Sequence, residues 1–245
     1  MTMQNIMLQT QQNTTQNSTK LRLTFNLTNL DELFPAFHEG DFAILYGSQN
    51  VTFLMSQLCV RAHIPHEQGG LKSKVVFIDA ANSSSISSIL HAAELHQFEP
   101  QKVLHQIQTF RAYTAYRLHS LITEQLEQTI KTSNEKLVVI SDIMYPFLTA
   151  NVDDQEARTA YNHLMNFLSN FAKKYGIIIV ATNLPHENTL RNRTLQEITT
   201  TKAGVLLRLT KTTYTSDIEL EKHPSYMLGI MGFRPENKVL TSFSH

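Results

Sequence analysis

The sequence predicts an α/β protein with a doubly wound, mainly parallel sheet, helices on both faces and an antiparallel edge at its C-terminal end. Three observations carry this. Four short runs are apolar at nearly every position: Phe42-Ala43-Ile44-Leu45-Tyr46, Val75-Val76-Phe77-Ile78, Leu137-Val138-Val139-Ile140 and Ile177-Ile178-Ile179-Val180. Strands of that kind lie inside a parallel sheet covered on both sides. Helical patterns separate them, with apolar residues three and four apart at Leu118, Leu121, Ile122, Leu126 and Ile130 and again at Tyr161, Leu164, Leu168 and Phe171. Beyond about residue 203 the pattern changes to Val205-Leu206-Leu207-Arg208-Leu209, a run near Asp217 to Leu220 and another near Met227 to Ile230.

Residues 1–20 are dominated by Gln, Asn, Thr and Ser, with almost no charge. Such a segment buries too little apolar surface to offset its ordering entropy and reads as a disordered tail, or as a tail ordered only by a partner. Residues 21–245 carry no internal repeat and no linker, so they form one expected domain. With 42% hydrophobic and 17% charged residues, the chain can build a sizeable core. Lys+Arg and Asp+Glu balance at 21 each, so no global field draws it to nucleic acid or membrane, and any DNA contact must come from a local patch. The single cysteine, Cys59, sits in an apolar run and reads as a core residue. No stretch approaches the roughly 20 apolar residues that span a bilayer, and the N-terminus lacks a secretory signal pattern. A reducing, cytoplasmic setting is the expectation.

In a sheet of this kind ligands bind beyond the carboxyl ends of the strands. The first strand runs into Gly47-Ser48-Gln49-Asn50-Val51-Thr52 and a helix. A phosphate cradle needs several glycines and then Lys-Ser/Thr. Here there is one glycine and no lysine, so on residues alone this turn reads as a helix cap.

Just after that helix, Ile64-Pro65-His66-Glu67-Gln68-Gly69-Gly70-Leu71, then Val75 to Ile78, Asp79 and Asn82, resembles the stretch of archaeal RadA recombinases that joins the phosphate-loop helix to the next strand. Phe110-Arg111-Ala112-Tyr113, Lys136 to Ile140, Ala181-Thr182-Asn183 and Arg208-Leu209-Thr210-Lys211 resemble later segments of the same family, in order, over roughly residues 28–230. The resemblance implies a RecA-like core and a place in DNA recombination or repair.

It also implies which residues are missing. Counted back from Pro65, Val51 falls on the phosphate-loop lysine and Thr52 on the Mg²⁺-binding hydroxyl, in a loop about two residues short. Ala81 takes the place of the glutamate that positions the attacking water, and Ser85 or Ser88 that of the adenine-stacking arginine. Ser141 falls on the Walker B aspartate, with Asp142 one place later, where a strand would turn it to the opposite face. The degenerate nucleotide site would therefore consist of Gly47, Ser48, Gln49, Asn50, Thr52 and Asp142, and no catalytic residue is assigned. ATP and Mg²⁺ would be cofactors only if that loop still binds them; otherwise none is expected.

The first DNA loop of the family corresponds to Phe147–Asp154, with Leu148 and Asp154 at arginine-like positions. The second, Leu184 to Lys202, is shortened but holds Arg191, Arg193 and Lys202, either a small phosphate-contacting cluster or ordinary solvated charges. His63 and His66, and His91, His96 and His105, lack the spacing of a metal site, so no metal is assigned. Tyr113 and Tyr116 read as packing residues before base-stacking ones. Three functions remain open: a non-hydrolysing partner of a RecA/RadA-type recombinase or other repair protein, with weak DNA binding; a divergent ATPase or nucleotide sensor; and an interaction module unrelated to nucleic acid.

Overall fold

A computed structural model describes residues 21–81, 85–149, 152–211 and 216–233. The polar segment 1–20 and Asn82 lie outside the described residues. The chain opens with a two-stranded antiparallel sheet, β1 (Arg22–Leu23) and β2 (Phe37–His38), flanking the short α1 (Thr28–Leu33). Next come β3 (Phe42–Tyr46), α2 (Val51–Arg61), β4 (Val75–Asp79), α3 (Ser85–Leu95), α4 (Pro100–Leu104) and β5 (Ile107–Arg111). A helix α5 (Ala115–Ser120) passes through a single π turn, Leu121–Gln125, into α6 (Leu126–Ser133). Then follow β6 (Leu137–Ser141), α7 (Tyr145–Leu148), α8 (Asp154–Tyr175), β7 (Ile178–Asn183), α9 (Leu190–Lys202), β8 (Val205–Lys211), β9 (Ser216–Lys222) and β10 (Gly229–Phe233).

The main sheet has eight strands in the order β10-β9-β8-β3-β7-β6-β4-β5. Neighbours from β8 to β5 are parallel, whereas β9 and β10 add antiparallel to one edge. The expected doubly wound arrangement is present, because every residue of β4, β6 and β7 is buried. Alternate residues of one strand feed different cores. Ala43, Leu45, Val75, Phe77, Leu137 and Val139 pack with Leu54 and Leu58 of α2 and Ile89 of α3. Phe42, Ile44, Val76, Ile78, Val138 and Ile140 pack on the other face with Leu118, Ile122, Leu164 and Leu168. The two-residue period of a strand thus becomes two apolar layers.

Local chemistry fixes the ends of the elements. Asp153 caps α8, its Oδ1 accepting from the Gln155 N–H at 2.9 Å, and Gly176 ends the helix at φ 58° with Lys173 and Lys174 in the last turn. The Pro65–Leu71 motif is a tight turn for a steric reason. A Cβ on Gly70 would lie 2.1 Å from the Ile64 carbonyl oxygen and 2.6 Å from that of Arg61. Arg61, nearly fully buried, ties the turn to the N-terminal segment by donating to Thr24 O at 2.8 Å, to Thr24 Oγ1 at 3.1 Å and to Gln68 O.

Several expectations need correction. The stretch from Leu184 to Lys202 is not a shortened loop, since its last thirteen residues are α9, capped by Thr189, whose Oγ1 accepts from Asn192 N at 3.1 Å. Tyr116 is not a packing residue: it is 65% exposed and its hydroxyl bonds Glu156, whereas Tyr113 is 37% exposed with its hydroxyl 3.5 Å from Asp79. The last strand begins at Gly229, about two residues later than expected. Cys59 is buried, as its apolar run implies. Among the described residues, no helix is long and apolar enough to cross a membrane.

Candidate functional site

Parallel register brings the carboxyl ends of four strands together. Tyr46 of β3 stands opposite Asn183 of β7, and Asp79 of β4 opposite Ser141 of β6. This is the end of an open α/β sheet at which ligands are held. Gly47, Ser48, Gln49, Asn50 and Thr52 leave it directly from β3. Gly47 has φ 101°, and a Cβ there would sit 2.5 Å from the Leu209 carbonyl oxygen, so the chain passes hard against β8.

The turn after Gly47 is closed on itself. The N–H groups of Val51, Thr52 and Phe53 donate to the carbonyls of Ser48, Gln49 and Asn50 at 3.2, 3.1 and 3.1 Å. Ser48 Oγ accepts from the Asn50 N–H at 3.3 Å. A phosphate cradle needs such donors turned outward toward the anion; here they complete the first turn of α2. Val51 is 0% exposed and belongs to the apolar layer under the loop. Thr52 is part-buried and its carbonyl accepts from Ser56 Oγ at 2.8 Å.

The two aspartates are also engaged. Asp79 Oδ1 accepts from Ser141 Oγ at 3.0 Å, and Ser141 Oγ accepts from the Ala80 N–H at 3.3 Å. Asp142 lies one residue beyond β6 with φ 46°, a left-handed conformation that Asp tolerates better than most residues. Its N–H donates to Thr182 Oγ1 at 2.8 Å. The expectation that Asp142 turns to the opposite face assumed a strand. The left-handed turn instead keeps its carboxylate at the sheet end, 2% exposed. There Oδ1 accepts from the Leu184 N–H at 3.2 Å, and His186 Nε2 lies 3.1 Å from Oδ1 and 2.9 Å from Oδ2. His186, which the sequence reading passed over, thus closes the carboxylate off. A histidine three residues after Asn183, at the end of a buried strand, was the available signal.

Tyr46, whose hydroxyl bonds Glu221, completes the same rim, and burial together with that carboxylate pushes its phenol up. Glu221 also faces Arg208 at 3.4 Å. Asn183 is buried, and its Oδ1 has no hydrogen-bond partner. Ala81, at the position of the family's glutamate, offers no acid or base.

The structure does not gather Arg191, Arg193 and Lys202. Positions 191 and 193 of α9 are about 200° apart around the axis, and Lys202 lies about 16 Å along it from Arg191. Arg191 pairs with Asp154 and donates to Thr149 O at 2.6 Å and Val152 O at 2.8 Å. It therefore ties α9 to the segment before α8. Arg193 is exposed and Lys202 sits in the last turn of α9. Among the described residues no three His, Cys, Asp or Glu side chains converge as a metal site.

The family model for Rad51 matches residues 16–199. The chain is 27% identical over 169 residues to the DNA repair protein RAD51 homolog B of Zea mays, covering 66% of this chain and 49% of that protein. It is 25% identical over 135 residues to the meiotic recombination protein DMC1 of Saccharomyces cerevisiae, covering 54% of this chain and 40% of that protein. The matched region thus spans less than half the length of either relative.

Proposed function

The chain belongs to the Rad51 family, and from that premise we propose that it serves DNA recombination or repair as a non-hydrolysing partner of a RecA/RadA-type recombinase. Similarity to a DNA repair protein and to a meiotic recombination protein supports the setting. The observation that carries the non-hydrolysing part is the Asp142–His186 contact. A carboxylate that would hold a cation is 2% exposed and bonded through both oxygens, to an imidazole and a backbone N–H.

The residues present do not fit the Mg²⁺-nucleotide of the family. Transfer of a phosphoryl group needs cationic stabilisation of the phosphates and a residue that positions the attacking group. Val51 supplies no cation, Ala81 no carboxylate, and the amides of Asn50 to Phe53 bond within the loop and the first turn of α2. No hydrolytic step is assigned to this chain. What remains is a rigid sheet with two intact cores, a scaffold on which a partner can be held without nucleotide turnover.

Phosphate release with Mg²⁺-ATP and single-stranded DNA tests this directly. The expected result is no turnover above a protein-free blank, together with retention of a purified recombinase from the same cell on the immobilised chain. Turnover that disappears in Thr52→Ala would overturn it in favour of a divergent ATPase. Absence of both turnover and recombinase retention would favour an interaction module outside recombination.

A further inference from the structure

At the opposite end of the sheet lies a cavity of about 650 Å³ that the reading above does not use. The register explains its lining. Strands β6, β4 and β5 are consecutive and start level, Leu137 opposite Val75 and Val75 opposite Ile107. The residues just before them, Lys136, Lys74 and Gln106, therefore stand side by side, one strand spacing of about 4.8 Å apart. Lys72 comes in from the Gly70 turn and Ser133 from the end of α6. Among the described residues, no carboxylate lines the cavity and none of the three lysines is in an ion pair. Glu135, next in sequence to Lys136, is 1% exposed and is not part of the lining.

Two further features shape the wall of the cavity. Lys72 has φ 45°, in the left-handed region where Gly or Asn is favoured, and its N–H is fixed there by Ile64 O at 2.9 Å. His63, in the wall, donates from Nδ1 to Ser73 O at 3.0 Å, which leaves a buried Nε2 with no partner. In a chain of zero net charge, exposed Lys72 and Lys74 and half-buried Lys136 concentrate positive charge around one concavity, and their water-screened repulsion is relieved further when an anion enters.

We propose that this cavity binds a small ligand carrying a polyphosphate group, held by Lys72, Lys74 and Lys136 at the amino ends of β4 and β6. Lysine is a compact point charge suited to phosphate oxygens, and the volume is that of a small-molecule site. Several negative charges within a small volume are what three neighbouring lysines can neutralise together. The adjoining groove, which shares His63 and Gln106 and is walled by Ile64, Pro65 and the exposed ring of Phe98, gives an apolar portion of the ligand somewhere to rest.

The test is calorimetric titration of the full chain with inorganic tripolyphosphate. Binding should weaken about tenfold for each lysine removed, in Lys74→Gln and in Lys136→Gln, and should be unchanged in Lys211→Gln at the far end of β8. Lys72→Asn separates binding from folding. Asn accepts the left-handed backbone, so this variant should melt at a higher temperature than the parent and yet bind about tenfold more weakly. No heat at millimolar tripolyphosphate, or binding that the lysine variants leave unchanged, would overturn the proposal. So would a single-stranded oligonucleotide that binds through these lysines while tripolyphosphate does not, since the site would then be for a nucleic-acid strand.

Discussion

A methyl group on Gly70 would stand 2.1 Å from one carbonyl oxygen and 2.6 Å from another, and neither oxygen is at the end of a flexible side chain. Gly70→Ala is therefore expected to cost about 3 kcal/mol or more in urea unfolding, since the turn must open to admit it. The buried Arg61 spans the same turn, and Arg61→Met leaves Thr24 O and Gln68 O without their donor. A loss of about 3 kcal/mol is expected by the same measurement. The residues that made the sequence resemblance specific are thus the ones whose removal breaks a turn. Titration at Asp31 gives a third expectation. Burial, partly offset by Arg61, raises its pKa to about 6. The folded state then holds this proton more tightly than the unfolded chain. Its contribution to stability is complete below about pH 4 and is lost as pH rises through about 6. His223 acts in the opposite sense over the same window, since burial lowers its pKa to about 4. The comparison must therefore be between variant and parent. Asp31→Asn should gain in melting temperature relative to the parent between pH 4.5 and 7, and parallel profiles would refute the assignment.

Legibility in the sequence differs between elements for a physical reason. Strands β3, β4, β6 and β7 could be read directly because helices cover both their faces, and so every position is apolar or nearly so. Strand β5 could not. It is the outer strand of the parallel edge, and Gln108, Thr109 and Arg111 are exposed along it. Helix α9 carries no helical signal in the sequence because its buried positions include Asn192 and Thr199 as well as Leu195. Those polar groups bond to Glu187 O and to the hydroxyl of Tyr161 instead of forming an apolar stripe. The same tie predicts behaviour. Arg191→Ala removes the bonds from α9 to Thr149 and Val152, and faster amide exchange is expected in the first turns of α9 while β7 stays protected. At the candidate site the resemblance singles out Val51 and Ala81 as departures from the family pattern, but not what closes the site. The partner of Asp142 is forty-four residues away, and only the pairing of β6 with β7 brings it close. His186→Ala should lower the melting temperature by several degrees, because a buried carboxylate then loses its main partner. Asp142→Asn, which tolerates the same left-handed backbone, should be milder.

Across the whole molecule, both cores draw on the same strands, with odd and even residues of β3, β4 and β6 pointing to opposite layers. Neither layer can melt without removing half the support of the other. Circular dichroism and tyrosine fluorescence should therefore report one coincident unfolding transition, and two separated midpoints would contradict a shared sheet. The fold class could be predicted at this scale because it depends on pattern. Charge could not, because a net of zero says nothing of its placement at one end of the sheet. The burial of Val51 has a further consequence, in the history open to the chain. A lysine introduced there now would carry its ammonium into a fully enclosed apolar layer at a cost of several kcal/mol, before any phosphate could reward it. The loop would also have to release the amides that close α2. On the proposed reading, a lysine at this position would need compensating changes in the layer beneath it, so a single substitution would not restore a phosphate site.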